Sequence, residues 1–423
     1  MLRYIVERIA DGEFLELELP IDVSGAGRKM NGAGSFSGVV SPDVGGLRYG
    51  DGTLLIDPYA TFIHEESDGV IRGTWLVTRS ELDESVWKIE GAGFSAYFSG
   101  RPYEGVYRGV GVDPIAVARH VVEHAQSFAN ANIGVTLTGA SSVRVGSDSE
   151  VQESAARTAL SVAKANLSDV KKVLAAARAA AKVNPTAANK AAVVARKEEA
   201  DLASAAKKAR EEALAAAKAV VQEDGGAWKL LWWDTPDCLE SIQDAIDAAG
   251  YEWVEWSGWN ADRSKVLKEI RAVRRVGRKQ NALSFVEGDN VIEAVTVRDD
   301  SSQYANKIVA IGAGEGRDSL RFVLPGKDSR RSKPVVVDAK HVTKRAVLEQ
   351  IARAELKKRM QRFRVDAIRV ADHPNAQFGT FGVGDTITVH ADVEWVGRQQ
   401  FVARIEELEF VGEDIVDVML GDG

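Results

Sequence analysis

Between Glu150 and Glu223 the sequence has no glycine and no aromatic residue, about a third of it is alanine, and its only proline is Pro185. Such a stretch has little choice of fold. Alanine is the strongest helix former, and Lys, Arg and Glu, which make up much of the remainder, follow closely. Asn184-Pro185-Thr186 is the single break, because proline inside a helix removes a hydrogen bond and clashes with the preceding turn. The pattern predicts two helices, about 151–182 and 187–222, each roughly 50 Å long at 1.5 Å per residue. Leu160, Leu167 and Leu174 recur at heptad spacing, with Ala163, Val170 and Ala177 between them. A seam of that kind, lined by small residues, suits close antiparallel pairing. Asp224-Gly225-Gly226 ends it, since glycine adopts the left-handed C-cap without strain.

The chain on either side has a different character. Tyr4–Ile9 and Phe14–Leu19 read as strands around an Asp11-Gly12 turn, and the second alternates apolar with acidic residues, as a half-buried strand does. After a glycine-rich stretch from Ser24 to Gly38, further strands are expected at Thr53–Ile56, Thr61–Glu65, Val70–Arg79 and Ser85–Gly91, with a hairpin turn at Ser67-Asp68-Gly69. Asp113-Pro114 supplies an N-cap and a first-turn proline. Ile115, Val117, Ala118, Val121, Val122, Ala125 and Phe128 then follow at helical spacing, and strands are expected at Ile133–Thr138 and Ser142–Val145. Past the alanine-rich segment, a helix started by Asp237 or Thr235 and running to Ala249 and a strand over Tyr251–Trp259 lead into a basic run, Lys265, Lys268, Arg271, Arg274, Arg275, Arg278 and Lys279. Such a run reads most simply as a solvated helix face, with a nucleic-acid passage as the alternative. Strands at Val291–Val297, Lys307–Ile311, Leu320–Leu324 and Val335–Asp338 precede an amphipathic helix over Thr343–Met360, and the end, from Phe363 to Leu420, returns to β.

Composition narrows the function classes. A net charge of −8 argues against a dedicated nucleic-acid binder. The single cysteine, Cys238, excludes an internal disulfide framework or a cysteine-rich zinc site. The first residues lack the basic-then-apolar order of a signal peptide, and no stretch is apolar for the ~18 residues a spanning helix needs.

Two motifs invite a catalytic reading. His120-Val121-Val122-Glu123-His124 matches the H-x-x-E-H pattern: histidines at i and i+4 share a helix face, and a glutamate between them can activate zinc-bound water. The same residues equally form the polar side of the helix defined by Ile115 to Phe128, and the third ligand expected from a later helix has no evident source. Lys307–Ile311 running into Gly312-Ala313-Gly314-Glu315-Gly316 resembles entry to a dinucleotide loop, but the third glycine is one residue early. The next segment, Leu320–Leu324, reads as a strand where a crossover helix is required. Cys238 lies in a helix N-terminal turn, which favours a thiolate, though a small buried side chain is the commoner use. Six tryptophans, Trp228, Trp232, Trp233, Trp253, Trp256 and Trp259, cluster as a core or a subunit interface. No catalytic, cofactor-binding or metal-binding residue is assigned.

Three stretches together carry a family resemblance. They are Gly73-Thr74-Trp75-Leu76-Val77-Thr78-Arg79 leading to Trp87–Gly93; Asp113-Pro114-Ile115-Ala116-Val117-Ala118-Arg119-His120 with His124-Ala125-Gln126-Ser127; and Tyr304–Gly312 with Gly384-Asp385-Thr386-Ile387. Taken with the Ala-, Arg-, Gly- and Val-rich composition, the sequence resembles a minor tail protein of the tail-hub (baseplate hub, or tail-associated) family in long-tailed siphophages of actinobacteria. The resemblance covers most of the chain outside the alanine-rich hairpin.

What it implies is structural: an α+β, multi-domain chain with two β-barrel domains, mixed α/β domains and an inserted long helical hairpin. On the sequence, these are an N-terminal barrel at 1–110, an α/β domain at 111–149 and 225–260, the hairpin at 150–224, a second α/β domain at 261–362 and a C-terminal barrel at 363–423. The family forms a homotrimer that closes the distal tail tube against the distal tail protein. It meets the tape-measure protein and other tail-tip or fibre proteins, and touches exiting DNA only transiently. The expected location is the virion tail tip after assembly in the host cytoplasm, with no stable membrane insertion and no enzymatic activity. Some relatives carry a C-terminal peptidase or lysozyme extension, and none is expected after Gly423. A zinc peptidase built on the H-x-x-E-H helix, or another oligomeric injection-machine scaffold, is the alternative.

Overall fold

The computed structural model describes residues 2–50, 52–298, 304–314, 316, 319–327, 329–339, 342, 345–360, 364–394, 397–412 and 414–422. The protein is α+β, with several sheets and one long helical hairpin. It divides into a sheet unit, Met1–Tyr97 with Ile133–Val135 and Glu252–Gly423, and a helical unit, Phe98–Asn132 with Thr136–Tyr251.

The sheet unit is built on twelve hydrogen-bonded strands. One side is a meander in which Thr61–Ser67, Val70–Asp83, Val86–Gly93 and Ser35–Val40 pair antiparallel in turn. The expected hairpin turn is present: Asp68 and Gly69 both have positive φ, 52° and 81°, which a two-residue turn of the right twist requires. The other side is formed by Thr386–Val393, Gly397–Phe410, Ile415–Asp422 and Ala367–Ala371. The two sides join where Lys29, Arg28, Gly27 and Ala26 pair with Glu407, Leu408, Glu409 and Phe410. The segments expected as two barrels therefore share one continuous hydrogen-bonded sheet. Each still has its own core, one around Phe36, Ile63 and Trp75 and the other around Phe285, Val389 and Ile405, and Phe410 packs against both.

The junction lies in the glycine-rich stretch that sequence left without strands. Asp22–Lys29 and Ser35–Val40 are strands there. A Cβ on Gly34 would stand 2.0 Å from the Gly27 carbonyl oxygen, and one on Gly27 would stand 2.5 Å from Ser35 Oγ. Glycine within a strand here marks close backbone approach, not a loop. Two other expectations fail: Thr53–Ile56 and Ser142–Val145 contribute only single bridges, Leu54 to Arg48 and Val145 to Val112.

Glu252–Trp259 pairs along its whole length with Val266–Val273. The basic run thus begins as a strand and not as a helix face. A smaller sheet has Lys307–Ile311 at its centre, antiparallel to Arg321–Pro325 and parallel to Pro334–Asp338. Helix Arg345–Arg359 packs on it through Leu348 and Ala352, both at 0% exposure. The expected start of this helix at Thr343 and of the last β segment at Phe363 lie outside the described residues.

In the helical unit, Asp113 caps helix Pro114–Gln126 by accepting from the Ile115 N–H at 3.0 Å. The predicted apolar face, Ile115, Val117, Ala118, Val121, Val122 and Ala125, is buried, but Phe128 is 40% exposed. That face meets helix Cys238–Ala248, whose Ile242, Ala245 and Ile246 are fully buried.

The hairpin consists of helices Ser149–Val183 and Ala187–Asp224. Thr186 caps the second, and Gly225 ends it at φ 74°. Leu160, Leu167 and Leu174 are its buried seam, facing a second helix whose buried residue is Ala200. At roughly 1.5–3 kcal/mol per buried leucine the seam is thin, so alanine propensity sustains much of the helical length. Both ends of the hairpin return to one point. Ser149 Oγ donates to Asp224 Oδ1 at 2.7 Å, the Gly226 N–H donates to the same oxygen at 2.9 Å, and the Ser147 N–H reaches the Gly226 carbonyl at 2.9 Å. An inserted segment needs such closure. Among the described residues no helix is long and apolar enough to cross a membrane.

Candidate functional site: buried charges and exposed tryptophans

The H-x-x-E-H residues do not converge as a zinc site. His120 Nε2 lies in hydrogen-bond contact with the Tyr103 hydroxyl at 2.9 Å, and Glu123 is exposed. The two imidazoles instead join an aromatic cluster, with Tyr103 4.3 Å from His124 and Tyr107 4.7 Å from His120, centroid to centroid. Burial holds both histidines below their usual pKa; the neighbouring His120 lowers His124 further, and Glu123 partly opposes the effect on His120. Among the described residues no group of three or more His, Cys, Asp or Glu side chains is placed to hold a metal.

The glycine loop after Lys307–Ile311 leads to an antiparallel strand, where a dinucleotide site requires a crossover helix. Glu315, Arg317 and Asp318 lie outside the described residues. Cys238 is fully buried, and burial pushes its thiol up to about 11. A helix N-terminus therefore does not yield a thiolate here.

The basic run separates by strand alternation. Lys268 is 4% exposed, whereas Lys265, Arg274, Arg275, Arg278 and Lys279 are exposed. Arg271 lies 3.5 Å from the centre of the Trp256 ring and pairs with Glu269 at 2.8 Å. Lys268 Nζ donates to Glu7 Oε1 at 2.9 Å, and fully buried His64 lies 2.8 Å from Glu7 Oε2 through Nε2 and 2.8 Å from Thr74 Oγ1 through Nδ1. Burial opposes the charge on Glu7, but His64 and Lys268 together hold its carboxyl below the usual range. Burial keeps His64 below its usual pKa against the pull of Glu7. A neutral His64 then donates from Nε2 and accepts from Thr74 at Nδ1. Sequence reading missed Glu7 and His64, because their partners lie far along the chain, 261 positions between Glu7 and Lys268 and 57 between Glu7 and His64.

Two more carboxylates tie strand Glu252–Trp259 into the sheet unit. Glu252 makes a two-pronged pair with Arg404 at 2.6 and 2.5 Å and also accepts from the Val276 N–H at 2.7 Å. Glu255 accepts from the Ser95 N–H at 2.5 Å, and its enclosed carboxyl is pushed by burial up to about 7.

The tryptophan cluster divides between two roles. Trp253 is a core residue at 1% exposure, while Trp232 and Trp233 stand 56% and 52% exposed, ring centres 5.7 Å apart. Exposed indoles are enriched at protein interfaces. Everything in these arrangements positions, pairs or packs, and no nucleophile–base pair emerges from them.

The fold is that of a phage tail protein. From end to end it matches the 43 kDa tail protein of prophage MuSo2 from Shewanella oneidensis, with 10% identity, a TM-score of 0.50, and coverage of 100% of this chain and 98% of that one. The tail protein from Neisseria meningitidis MC58 gives 12% identity, 99% and 96% coverage and a TM-score of 0.48. Prophage tail protein gp18 from Listeria monocytogenes EGD-e gives 10%, 99% and 94%, and 0.46. At these identities the likeness is one of fold. No family model matches the sequence, and no curated protein does.

Proposed function

We propose that the chain is a structural tail-tip hub of a long, non-contractile-tailed phage. Three copies form a ring that closes the distal tail tube, seats against the distal tail protein and carries other tail-tip or fibre proteins. The tape measure ends at its channel, and DNA leaves through it. The observation that supports this most is the end-to-end fold likeness to a prophage tail protein at 100% and 98% coverage. In this reading residues 1–110 and 363–423 supply the two β modules of each copy, so that three copies present six. The α/β parts at 111–149 with 225–260, and at 261–362, line or narrow the channel. The hairpin at 150–224 is an outward projection that meets a neighbouring tail protein, consistent with its single point of attachment. Exposed Trp232 and Trp233 suit a contact surface. The −8 charge suits a wall that DNA passes without sticking. Light scattering on purified protein tests the ring: the expected mass is three times the 45.7 kDa of one chain. A strict monomer at high concentration contradicts it.

A further inference from the structure

The two hairpin helices, 35 and 38 residues long, share a thin core: among the described residues their buried apolar side chains are Leu160, Leu167, Leu174 and Ala200. Helices in water draw most of their stability from packing an apolar face, not from propensity. The positions beside the seam differ between its two flanks. On one flank the first helix carries Arg157, Lys164, Lys171 and Arg178, a cation every seven residues, and the second adds Lys197 and Lys218 around Glu211. On the other flank the matching positions are apolar: Ala159, Val173 and Ala180 in the first helix, Ala206, Ala213 and Val220 in the second. Asn166 and Glu199 interrupt that row, and Glu199 is already paired with Arg196 at 2.7 Å. Because the helices run antiparallel, their like flanks fall on the same side of the hairpin.

Val162 and Leu202 widen the apolar side, and with Val173 and Val220 they are 45–72% exposed. A two-stranded coil keeps charged residues on both flanks of its seam. Apolar residues on the seam and on one flank, about three positions in seven, are the pattern of helices in a larger bundle. A face roughly 50 Å long and two helix diameters, about 20 Å, across covers about 1,000 Å². A stable interface takes ~800 Å² from each partner, so the area suffices for one. A second hairpin of the same sequence fits this face. Its alanines and valines allow close helix approach, and the two cationic flanks then point away from each other, which avoids like-charge repulsion.

We propose that the hairpin packs through this face on the hairpin of a second copy of the chain, forming a bundle of at least four helices. The contact buries Val162, Val173, Leu202 and Val220 and leaves Arg157, Lys164, Lys171 and Arg178 in solvent. It needs two copies side by side and no property of the tail tip, so it does not rest on the hub reading.

Cys238 is fully buried, so a single cysteine introduced into the full-length protein reports contact between copies. Leu202→Cys places a thiol on the apolar face and Lys171→Cys places one on the cationic flank; both positions are exposed, so neither change disturbs the seam. Treated with a short bis-maleimide, Leu202→Cys is expected to cross-link copies at least about tenfold faster than Lys171→Cys. Adding Val162→Glu to Leu202→Cys puts a charge into the apolar contact and slows the cross-link by about tenfold or more, whereas adding Lys164→Glu leaves it unchanged. Equal rates for the two thiols, or a rate untouched by Val162→Glu, overturn the proposal and leave the face to a different chain. A mass of three chains without the Leu202→Cys cross-link overturns it while the hub ring stands. The cross-link in a protein of only two chains supports it and contradicts the ring.

Discussion

Replacing Lys268 with methionine lowers the stability of the protein by about 3–5 kcal/mol, the usual cost of removing one partner from a buried ion pair. The methionine fills similar volume, so the loss is electrostatic: Glu7 is left 6% exposed beside His64 and without the lysine's charge. The same logic fixes the sign of a second change. Adding Glu7→Leu to Lys268→Met recovers much of the loss, because a buried pair replaced by apolar groups is often neutral or stabilising. Urea denaturation followed by tryptophan fluorescence measures both. A single-variant loss under ~1 kcal/mol, the range of exposed pairs, would show that the triad is solvated.

The second large effect is on pH. Glu255 titrates near 7 in the folded state against 4.5 as the reference value. The folded state therefore binds this proton more tightly, and the associated stability is full below about 4.5 and is lost as pH rises to about 7. The loss amounts to about 3 kcal/mol at 1.36 kcal/mol per unit. Glu255→Gln keeps the acceptor for the Ser95 N–H and removes the proton, so it flattens the dependence over that window. The other groups pull the opposite way. His120 and His124 are held below 6.5, so their contribution is present above that pH and is lost as acid charges them; Glu7, held below 4.5, behaves alike at lower pH. Denaturation midpoints for wild type and Glu255→Gln across pH 4–8 check this. Parallel curves for the two proteins contradict the assignment to Glu255.

How much of this was legible beforehand depended on whether a residue's role was local. The hairpin was readable almost to the residue, since alanine content, the Pro185 break and the Gly225 cap all act within a turn or two. Asp113-Pro114 set a helix start for the same reason. The Asp68-Gly69 turn was readable because positive φ at both positions is a local demand. The glycine-rich strands at 22–40 were not, because their glycines answer to backbone that pairs from the far end of the chain, at Glu407–Phe410. The basic run misled because charge suggests solvent, while the period-two alternation that buries Lys268 emerges only once Val266–Val273 pairs with Glu252–Trp259. Glu7, His64 and Lys268 are separated by as many as 261 positions, so no spacing rule brings them together. His120 and His124 show the reverse case: their spacing suited zinc, and the tertiary partner that decides the matter, Tyr103, carries no such signal.

The central claim is the place of this chain at the tail tip. An epitope inserted in the exposed turn at Asn184-Pro185, where a hairpin tolerates insertion, can be labelled on assembled virions and imaged by electron microscopy. The account predicts label only at the distal end of the tail, in three copies around the tube axis. Label along the tube, at the head-proximal end, or nowhere on the virion contradicts it.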